Sequence, residues 1–325
     1  MTDVHPRDMS KQWTTADIPS QAGKRAFITG ANSGIGFATA LKLARKGADV
    51  VLACRDPRRG ELAVDRIRTE APGCKVELVV LDLASLASVR KVAAAEVERG
   101  LGLDILINNA GVMAPAKRQA TKDGFELQFG TNVLGHFALT GLLMPALERS
   151  ADAATTSQER PRVVTVASIA HKRGRLNFAD LQYSAGYSPM TAYQQSKLAD
   201  LMFALEMERR LAAKSSGIMS LAVHPGVAET SLFKVGSGQG LARVAEQVIA
   251  HTIGALLNSD AEGALPTLYA ATSPEAVGGG YYGPQGFQEM RGGDVGDALV
   301  SPQARDAAAA RLWDVCEELT RVRFL

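Results

Sequence analysis

The sequence has few of the features that would indicate a secreted, membrane-embedded or nucleic-acid-binding protein. Its three cysteines are widely separated and form no C-x-x-C pair, which favours a reducing compartment over a disulfide framework or a metal site. The longest weakly polar run, residues 133–147, is shorter than the roughly 20 residues that a membrane-spanning helix needs. The formal net charge of +2 argues against a nucleic-acid or membrane partner. We therefore expect a cytoplasmic protein with neither partner.

The composition is that of a globular protein with one large core. Hydrophobic residues make up 46% of the 325 residues and charged residues 22%. Residues 1–22 form a polar leader without the apolar core of a signal peptide, and Trp13 and Ile18 are its candidates for attachment to the body. We expect residues 23–325 to form a single domain, with no internal repeat and no cluster of metal ligands.

The most informative stretch is AFITGANSGIG, residues 26–36, in which an apolar strand runs into a glycine-rich loop and then a helix. Gly30, Gly34 and Gly36 permit a tight turn and let the backbone approach a pyrophosphate. The helix that follows offers its unpaired N–H groups and positive dipole end to the anion. An ordinary glycine-rich turn is the alternative interpretation, but the strand before and the helix after both favour a dinucleotide site.

Strands and helices alternate along the next part of the chain. Strands are predicted at residues 48–55, 76–82, 105–108, 162–168 and 218–223, and helices at 37–46, 61–70, 85–98, from near 125 to 147, and 193–214. Such alternation with short connections predicts an α/β fold: a doubly wound (Rossmann) parallel sheet with helices on both faces.

The second strand indicates which dinucleotide binds. A strand that ends about 20 residues after the glycine loop points at the adenosine ribose, where an acidic residue favours NAD and an arginine accommodates a 2′-phosphate. Here the strand ends at Cys54-Arg55, with Arg58 and Arg59 close behind, and this predicts NADP(H). Asp56 follows directly, and the alternative is that Arg55 is merely a solvated loop residue.

Residues suited to acid–base chemistry come together later in the chain. Tyr193 and Lys197 are four apart and share one face of a predicted helix, and Ser168 ends a predicted strand. A phenol with a pKa of about 10 needs nearby positive charge to act as a base at neutral pH, and a lysine one turn away supplies it. Ser168 would hold the same substrate oxygen by a hydrogen bond.

Together the Gly-x-x-x-Gly-x-Gly loop, Asn109-Ala110-Gly111, the strand-end Ser168 and the Tyr193-x-x-x-Lys197 pair resemble the short-chain dehydrogenase/reductase family. The resemblance implies the catalytic set Asn132, Ser168, Tyr193 and Lys197. Tyr193 would pass the proton, Lys197 would also bind the nicotinamide ribose, and Asn132 would support a proton-relay water. From the residues alone, an asparagine within a helix, such as Asn132, is only a weak indication of a functional role. His136 is interpreted as a packing or capping residue.

The same resemblance implies a cofactor groove. Its residues are Gly30, Asn32, Ser33, Gly34, Ile35, Gly36, Arg55, Asp82, Leu83, Asn109, Ala110, Gly111, Tyr193, Lys197, Pro225, Val227 and Thr230. Asp82 and Leu83 would border the adenine, while the turn at residues 225–230 would contact the carboxamide. A helix N-cap is the alternative role for Asp82, and the two roles are compatible.

Features outside these motifs are similar to the retinol dehydrogenase and protochlorophyllide reductase branch of the family. They are the 25-residue gap between Ser168 and Tyr193 and the segments 280–284 and 311–313. Residues 231–257 combine apolar side chains with glycines, which suggests a substrate lid, and the apolar character points to a lipophilic substrate; core packing explains the same residues equally well.

We thus expect an NADP(H)-dependent oxidoreductase that interconverts a small-molecule carbonyl and an alcohol by hydride transfer. A catalytically idle NADP(H)-binding regulatory protein is the alternative, although it would not need Ser168, Tyr193 and Lys197; a nucleotide-sugar epimerase fits less well. The helix from Tyr193 is apolar on more than one face, which predicts a subunit contact and a homodimer or homotetramer.

Overall fold

The structure is a computed structural model that describes residues 12–156, 158–226, 258–290, 292, 294–305 and 307–325. The predicted contacts of Val227 and Thr230 and the predicted lid at residues 231–257 lie outside the described residues.

The first half of the chain alternates strictly between strand and helix. Its elements are β1 (Arg25–Thr29), α1 (Gly34–Arg45), β2 (Asp49–Cys54), α2 (Pro57–Glu70), β3 (Val76–Val80), α3 (Leu86–Glu98) and β4 (Ile105–Asn108). Each of these strands lies within a residue or two of the position that the apolar runs predict. Strands β1, β2 and β4 are buried on both faces, which explains their nearly continuous apolar sequence, whereas the edge strand β3 is only partly buried.

The second half begins with a π-helical turn, Phe129–Leu134, which continues as α4 (Gly135–Ala153). It goes on with β5 (Arg162–Val166), a 3₁₀ turn (Ile169–Arg173), α5 (Pro189–Ala213) and β6 (Met219–Val223). After residue 257 come α6 (Asp260–Gly263), α7 (Leu265–Thr272), β7 (Tyr281–Pro284), β8 (Val295–Asp297) and α8 (Ala308–Thr320), with 3₁₀ turns at Phe287–Glu289 and Pro302–Arg305.

The described strands form one sheet in the order β3-β2-β1-β4-β5-β6-β7-β8. The chain reverses direction across the sheet between β1 and β4, which is where doubly wound folds bind their ligands. The prediction of a doubly wound parallel sheet is confirmed for β1 to β7. The edge strand β8 differs, because it pairs antiparallel with β7 through a connection without a crossover helix.

Helices cover both faces of this sheet. Phe27 and Leu106 pack into one core layer with α3, α4, α5 and α8, whereas Ala26 and Ile28 face α1, α2 and α7. Alternate residues of a strand thus supply the two layers. No helix in the described part of the chain is long and apolar enough to cross a bilayer.

The polar leader is attached where it precedes β1. Trp13 is 8% exposed and Ile18 is 2% exposed. The Trp13 ring meets Tyr269 of α7 edge-on, with 5.3 Å between the ring centroids. These two apolar residues therefore join the same core layer as α1 and α7.

Several helix starts differ from the predictions. Helix α1 begins at Gly34 and not at residue 37, and α5 begins at Pro189 and not at Tyr193. Helix α2 begins at Pro57 and not at Glu61, because the Asp56 side chain caps it by accepting a hydrogen bond from Arg59 N. Helix α3 is capped by Ser85, which accepts from Ser88 N. The alternative role of Asp82 as the N-cap of this helix is therefore wrong.

The second apolar face of α5 is covered by the chain itself. Trp313 of α8 stacks on Phe203 of α5 and meets Phe137 of α4 edge-on. Phe324 of the C-terminal segment packs on the same cluster. Burial of this face therefore requires no second subunit, so the reason given for an oligomer is wrong, while the oligomer itself stays a prediction.

Candidate active site

A cleft of about 480 Å³ opens at the carboxyl ends of the parallel strands. Sixteen of the predicted site residues line it: Gly30, Asn32, Ser33, Gly34, Ile35, Gly36, Arg55, Asp82, Leu83, Asn109, Ala110, Gly111, Ser168, Tyr193, Lys197 and Pro225. Asn132 does not line the cleft but lies behind its wall, fully buried. Residues more than 190 positions apart in the sequence thus meet in one groove.

The glycine loop has the shape that a pyrophosphate needs. Gly30 has a φ of 68°, and a Cβ added there would lie 3.0 Å from Ala110 Cα. A Cβ on Gly36 would lie 2.5 Å from Asn109 Nδ2 and 2.6 Å from Gly30 O. Ser33 is the N-cap of α1 but makes no side-chain cap hydrogen bond. The first N–H groups of α1 are therefore available to an anion.

Thr29, directly before the glycine loop, fixes the cleft wall formed by Asn109 and Ala110. Its hydroxyl accepts hydrogen bonds from Asn109 N (2.9 Å) and Ala110 N (3.0 Å) and meets His136 Nε2 at 2.8 Å. His136 Nδ1 lies 2.8 Å from the carbonyl of Asn132 and donates to it, so Nε2 must accept from the Thr29 hydroxyl. Burial lowers the pKa of His136 to about 4, which keeps the imidazole neutral as this arrangement requires.

Asn132 lies in the π-helical turn and ties three elements together. Its Oδ1 accepts from Val112 N, and its Nδ2 donates to Val112 O and to Ser196 Oγ of α5. A π-turn is an uncommon feature that is often found at functional sites, and here it brings the amide against the loop after β4. Both Nδ2 protons and one acceptor site of Oδ1 are used in these contacts, so Asn132 holds the wall of the cleft.

Ser168 follows β5 at the floor of the cleft. Its hydroxyl accepts from Ala170 N at 3.2 Å, and its carbonyl accepts from His171 Nδ1 at 2.7 Å. His171 Nε2 in turn accepts from Ser301 N. Burial lowers the pKa of His171, so the neutral ring holds Ser168 from behind.

Tyr193 lies in the second turn of α5 and Lys197 lies one turn later, and both side chains line the cleft. Lys197 is 5% exposed, and its Nζ donates to Val166 O at 2.9 Å and to Asp200 Oδ2 at 2.8 Å. Although burial opposes its charge, attraction by Asp200 and Tyr193 raises the pKa of Lys197. The lysine is therefore a charged wall residue held from two sides.

Two arginines lie at the adenosine end of the cleft. Arg55 is exposed at the end of β2, and Arg59 donates from Nη2 to Ser33 Oγ at 3.4 Å. Asp56 is committed to capping α2. Asp56 also lines the cleft, but this carboxylate caps a helix, and the other two charged side chains of the wall here, Arg55 and Arg59, are cationic.

The opposite end of the cleft is mainly apolar. Beside Ser168 and Tyr193 it is lined by Val112, Met113, Ile169, Ala170 and Met190. Met190 is 46% exposed at the mouth. This end suits an apolar substrate whose reacting oxygen reaches Ser168 and Tyr193.

Sequence reasoning missed several residues that build this site. Met190 was not predicted, and Arg59 was named only as part of the arginine run after the second strand and not among the residues of the cofactor groove. Thr29 and His136 contact each other across 107 positions, which no local pattern reveals. Asp200 carried a signal, namely a charged residue within the apolar run Leu198–Phe203.

The fold and the site define a dinucleotide-binding oxidoreductase. The cradle at Gly30 and Gly36, the free N-terminus of α1 and the cations at the adenosine end fit a nicotinamide dinucleotide. A family model described as short chain dehydrogenase matches residues 24–238, and the chain belongs to that family. Members of the family bind a nicotinamide cofactor and interconvert carbonyls and alcohols.

Similar proteins indicate the branch. Polyprenol dehydrogenase of Mus musculus is 43% identical over 266 residues, covering 82% of this chain and 76% of that protein. Retinol dehydrogenase 13 of Homo sapiens is 40% identical over 307 residues, covering 92% of this chain and 86% of that protein. The crystal structure of an uncharacterised protein from Mycobacterium paratuberculosis matches with a TM-score of 0.75 at 43% identity, covering 97% of this chain and 100% of that one. The chain is thus a short-chain oxidoreductase of the retinol dehydrogenase branch.

Proposed function

We propose that this protein is an NADP(H)-dependent oxidoreductase that interconverts a lipophilic alcohol and its carbonyl compound, with Tyr193 as the general acid and base. The observation that carries the proposal is one cleft with cations at one end, apolar side chains at the other and Ser168, Tyr193 and Lys197 between them. The names of the similar polyprenol and retinol dehydrogenases support a lipophilic substrate.

The three cysteines form no disulfide, which supports the proposal of a cytoplasmic location.

Each polar residue has a defined task in this mechanism. When bound, the nicotinamide supplies the hydride acceptor or donor at its ring carbon C4. Ser168 donates a hydrogen bond to the substrate oxygen and orients it toward Tyr193. Tyr193 removes the hydroxyl proton during alcohol oxidation and returns a proton to the oxygen during carbonyl reduction.

Lys197 supports both substrate chemistry and cofactor binding. Its buried ammonium favours the phenolate form of Tyr193 by Coulombic attraction. Two of its three N–H groups bind Val166 O and Asp200, so the third can donate to a ribose hydroxyl. Asn132 keeps the loop after β4 in register with α5 through its bonds to Val112 and Ser196.

The preference for NADP(H) rests on Arg55 and Arg59. Both line the cleft at the end of β2, where a 2′-phosphate would meet their guanidinium groups. Asp56, the one nearby carboxylate that could bind ribose hydroxyls instead, accepts a hydrogen bond from Arg59 N at the helix start. The charge pattern at this end therefore favours a phosphorylated ribose.

The cofactor assignment is tested by titrating the purified protein with NADPH and NADH. We expect NADPH to bind at least about tenfold more tightly, a difference of about 1.4 kcal/mol. Arg55→Ala and Arg59→Ala should each reduce that ratio. Arg58→Ala is the matched control, because Arg58 lies in the same turn of α2 but does not line the cleft. Equal affinities for the two nucleotides would contradict the NADP(H) assignment.

Turnover distinguishes an enzyme from a regulatory binding protein. A panel of long-chain and short-chain primary alcohols and aldehydes, including retinoids and polyprenols, is assayed with both cofactors. We expect the long apolar members to give the higher kcat/KM, and Tyr193→Phe to lower kcat by about 10²- to 10⁴-fold while NADPH still binds. Turnover that survives this substitution would exclude Tyr193 as the acid and base.

A further inference from the structure

A buried ion pair stands directly behind the cleft, in a part of α5 that is otherwise apolar. Asp200 lies three residues after Lys197 and is 3% exposed, and its Oδ2 lies 2.8 Å from Lys197 Nζ. Its sequence neighbours Leu198, Ala199 and Leu201 are fully buried core residues. A carboxylate in such surroundings loses most of its hydration, and an ion pair with a buried partner is needed to offset the loss.

Two other titratable groups beside this pair, His136 and Cys316, are neutral at pH 7. His136, from the neighbouring helix α4, has its pKa lowered to about 4 by burial and is uncharged at pH 7. Cys316 of α8 has its pKa raised by burial and by the nearby Asp200 charge, so it is a thiol. Tyr193, one turn before Lys197 on α5, is the remaining group that interacts with the lysine charge. Asp200 is therefore the one carboxylate among these neighbours that balances Lys197.

We propose that Asp200 is a positioning residue that holds Lys197 protonated and fixed at the cleft wall beside Tyr193. This inference rests on the proposed roles of Lys197 in cofactor binding and in charge support of Tyr193. The geometry is specific: Val166 O and Asp200 Oδ2 take two of the three ammonium protons, which leaves the third to serve a ligand in the cleft.

Stability alone does not explain the pair. Replacing a buried ion pair by apolar residues is often neutral or stabilising, so the fold gains little from two charges at this place. Without the carboxylate, burial would act on Lys197 with less opposition and would favour the neutral amine. A neutral Lys197 would support neither the phenolate of Tyr193 nor a charged hydrogen bond to ribose.

The direct test follows the charge of Lys197 by NMR. The protein is labelled with ¹³C at lysine Cε, the Lys197 resonance is assigned by its loss in Lys197→Met, and its titration is recorded without cofactor. We expect the wild-type midpoint to lie at or above those of the exposed lysines in the same spectrum, and Asp200→Asn to lower it by at least about 1 pH unit. An unchanged midpoint in Asp200→Asn would refute the proposal. A wild-type midpoint well below the exposed lysines would refute it even if the variant did not fold.

A matched control separates positioning from structure. Glu206 is also a buried carboxylate of α5, 4% exposed, but it pairs with Arg209 and Arg210 and has no contact with Lys197. Glu206→Gln therefore removes a buried charge of α5 and should leave the Lys197 midpoint where it is. A shift as large as that in Asp200→Asn would mean that any damage to α5 moves Lys197, and the proposal would fall.

The pH profile of alcohol oxidation supplies the functional readout. In Asp200→Asn, kcat/KM should fall at alkaline pH, where Lys197 loses its proton, and the midpoint of this fall should lie at least about 1 pH unit below that of wild type. A uniform loss at every pH would indicate a structural role and overturn the proposal. If wild type shows no turnover on the panel, the proposed function fails while the NMR titration still decides the role of Asp200.

Discussion

Thr29→Val is the most informative single substitution in the cleft wall. The Thr29 hydroxyl uses its full hydrogen-bonding capacity, since it accepts from Asn109 N and Ala110 N and donates to His136 Nε2. Valine has the same shape but offers no polar atom. Ala110 N and the imidazole Nε2 of His136 therefore lose their partner at once, whereas Asn109 N keeps Ile107 O as an acceptor at 3.0 Å.

The structure gives the size of the effect. A buried polar group left unpaired costs about 1–3 kcal/mol; the full range applies to the buried His136, and the lower half applies to Ala110 because it is only half-buried. Allowing for relaxation, we expect a loss of about 3 kcal/mol in the free energy of unfolding. With an unfolding entropy of about 0.7 kcal/mol per kelvin for a chain of 325 residues, Tm should fall by about 4 °C.

Thr165→Val is the matched control. Thr165 lies in β5 of the same sheet and is 1% exposed, as buried as Thr29, yet its hydroxyl has no hydrogen-bond partner among the described residues. The same substitution should therefore change the free energy of unfolding by less than about 1 kcal/mol. Urea and thermal unfolding of both variants, with NADPH titrations, make the measurement. If the two variants unfold alike, and Thr29→Val binds NADPH as wild type does, the hydroxyl does not hold the wall.

Three further outcomes follow from the structure. Burial lowers the pKa of His136 from 6.5 to about 4, so only the unfolded chain binds this proton between those pH values, and the native state loses about 3 kcal/mol of stability as the pH falls from 6.5 toward 4. The stability of His136→Phe, measured by urea unfolding across that range, should depend less on pH than that of wild type. Trp313→Ala should lower the free energy of unfolding by about 3–5 kcal/mol. Size-exclusion chromatography of wild type and Trp313→Ala compares their oligomeric states. An oligomer that survives in the variant would exclude this face of α5 as the subunit contact. Asp56→Ala should cost about 1 kcal/mol by removing the α2 cap; no loss on urea unfolding would contradict the capping geometry.

The parallel strands and the cleft residues were predictable because their signals are local. A buried strand is a short apolar run, and the carboxyl ends of such strands meet at one edge of the sheet whatever the connections between them do. That is why Gly30, Asp82, Asn109 and Ser168, each placed at or just after a strand, all line the same cleft. The spacing of Tyr193 and Lys197 needed only the helical period.

Features that depend on contacts between distant segments were not predictable. Strand β8 is three residues long and pairs antiparallel at the edge, without a periodic pattern of its own. The apolar second face of α5 looked like a subunit contact, because the sequence does not show that Trp313, more than 100 residues later, stacks on Phe203. A buried face indicates that something covers it, and only the fold shows what does.

Asn132 and Asp200 show where local rules break at this site and why. An asparagine within a helix and an aspartate within an apolar run are each unfavourable by propensity and burial. Each is stabilised by partners from other elements: Asn132 by Val112 and Ser196, and Asp200 by Lys197. Since residues kept against local preference are expected at functional sites, the two departures from the pattern mark the wall that supports Tyr193 and Lys197. Both unfavourable residues are visible in the sequence, but only the distances between side chains show that Asn132 and Asp200 support the same wall of the cleft.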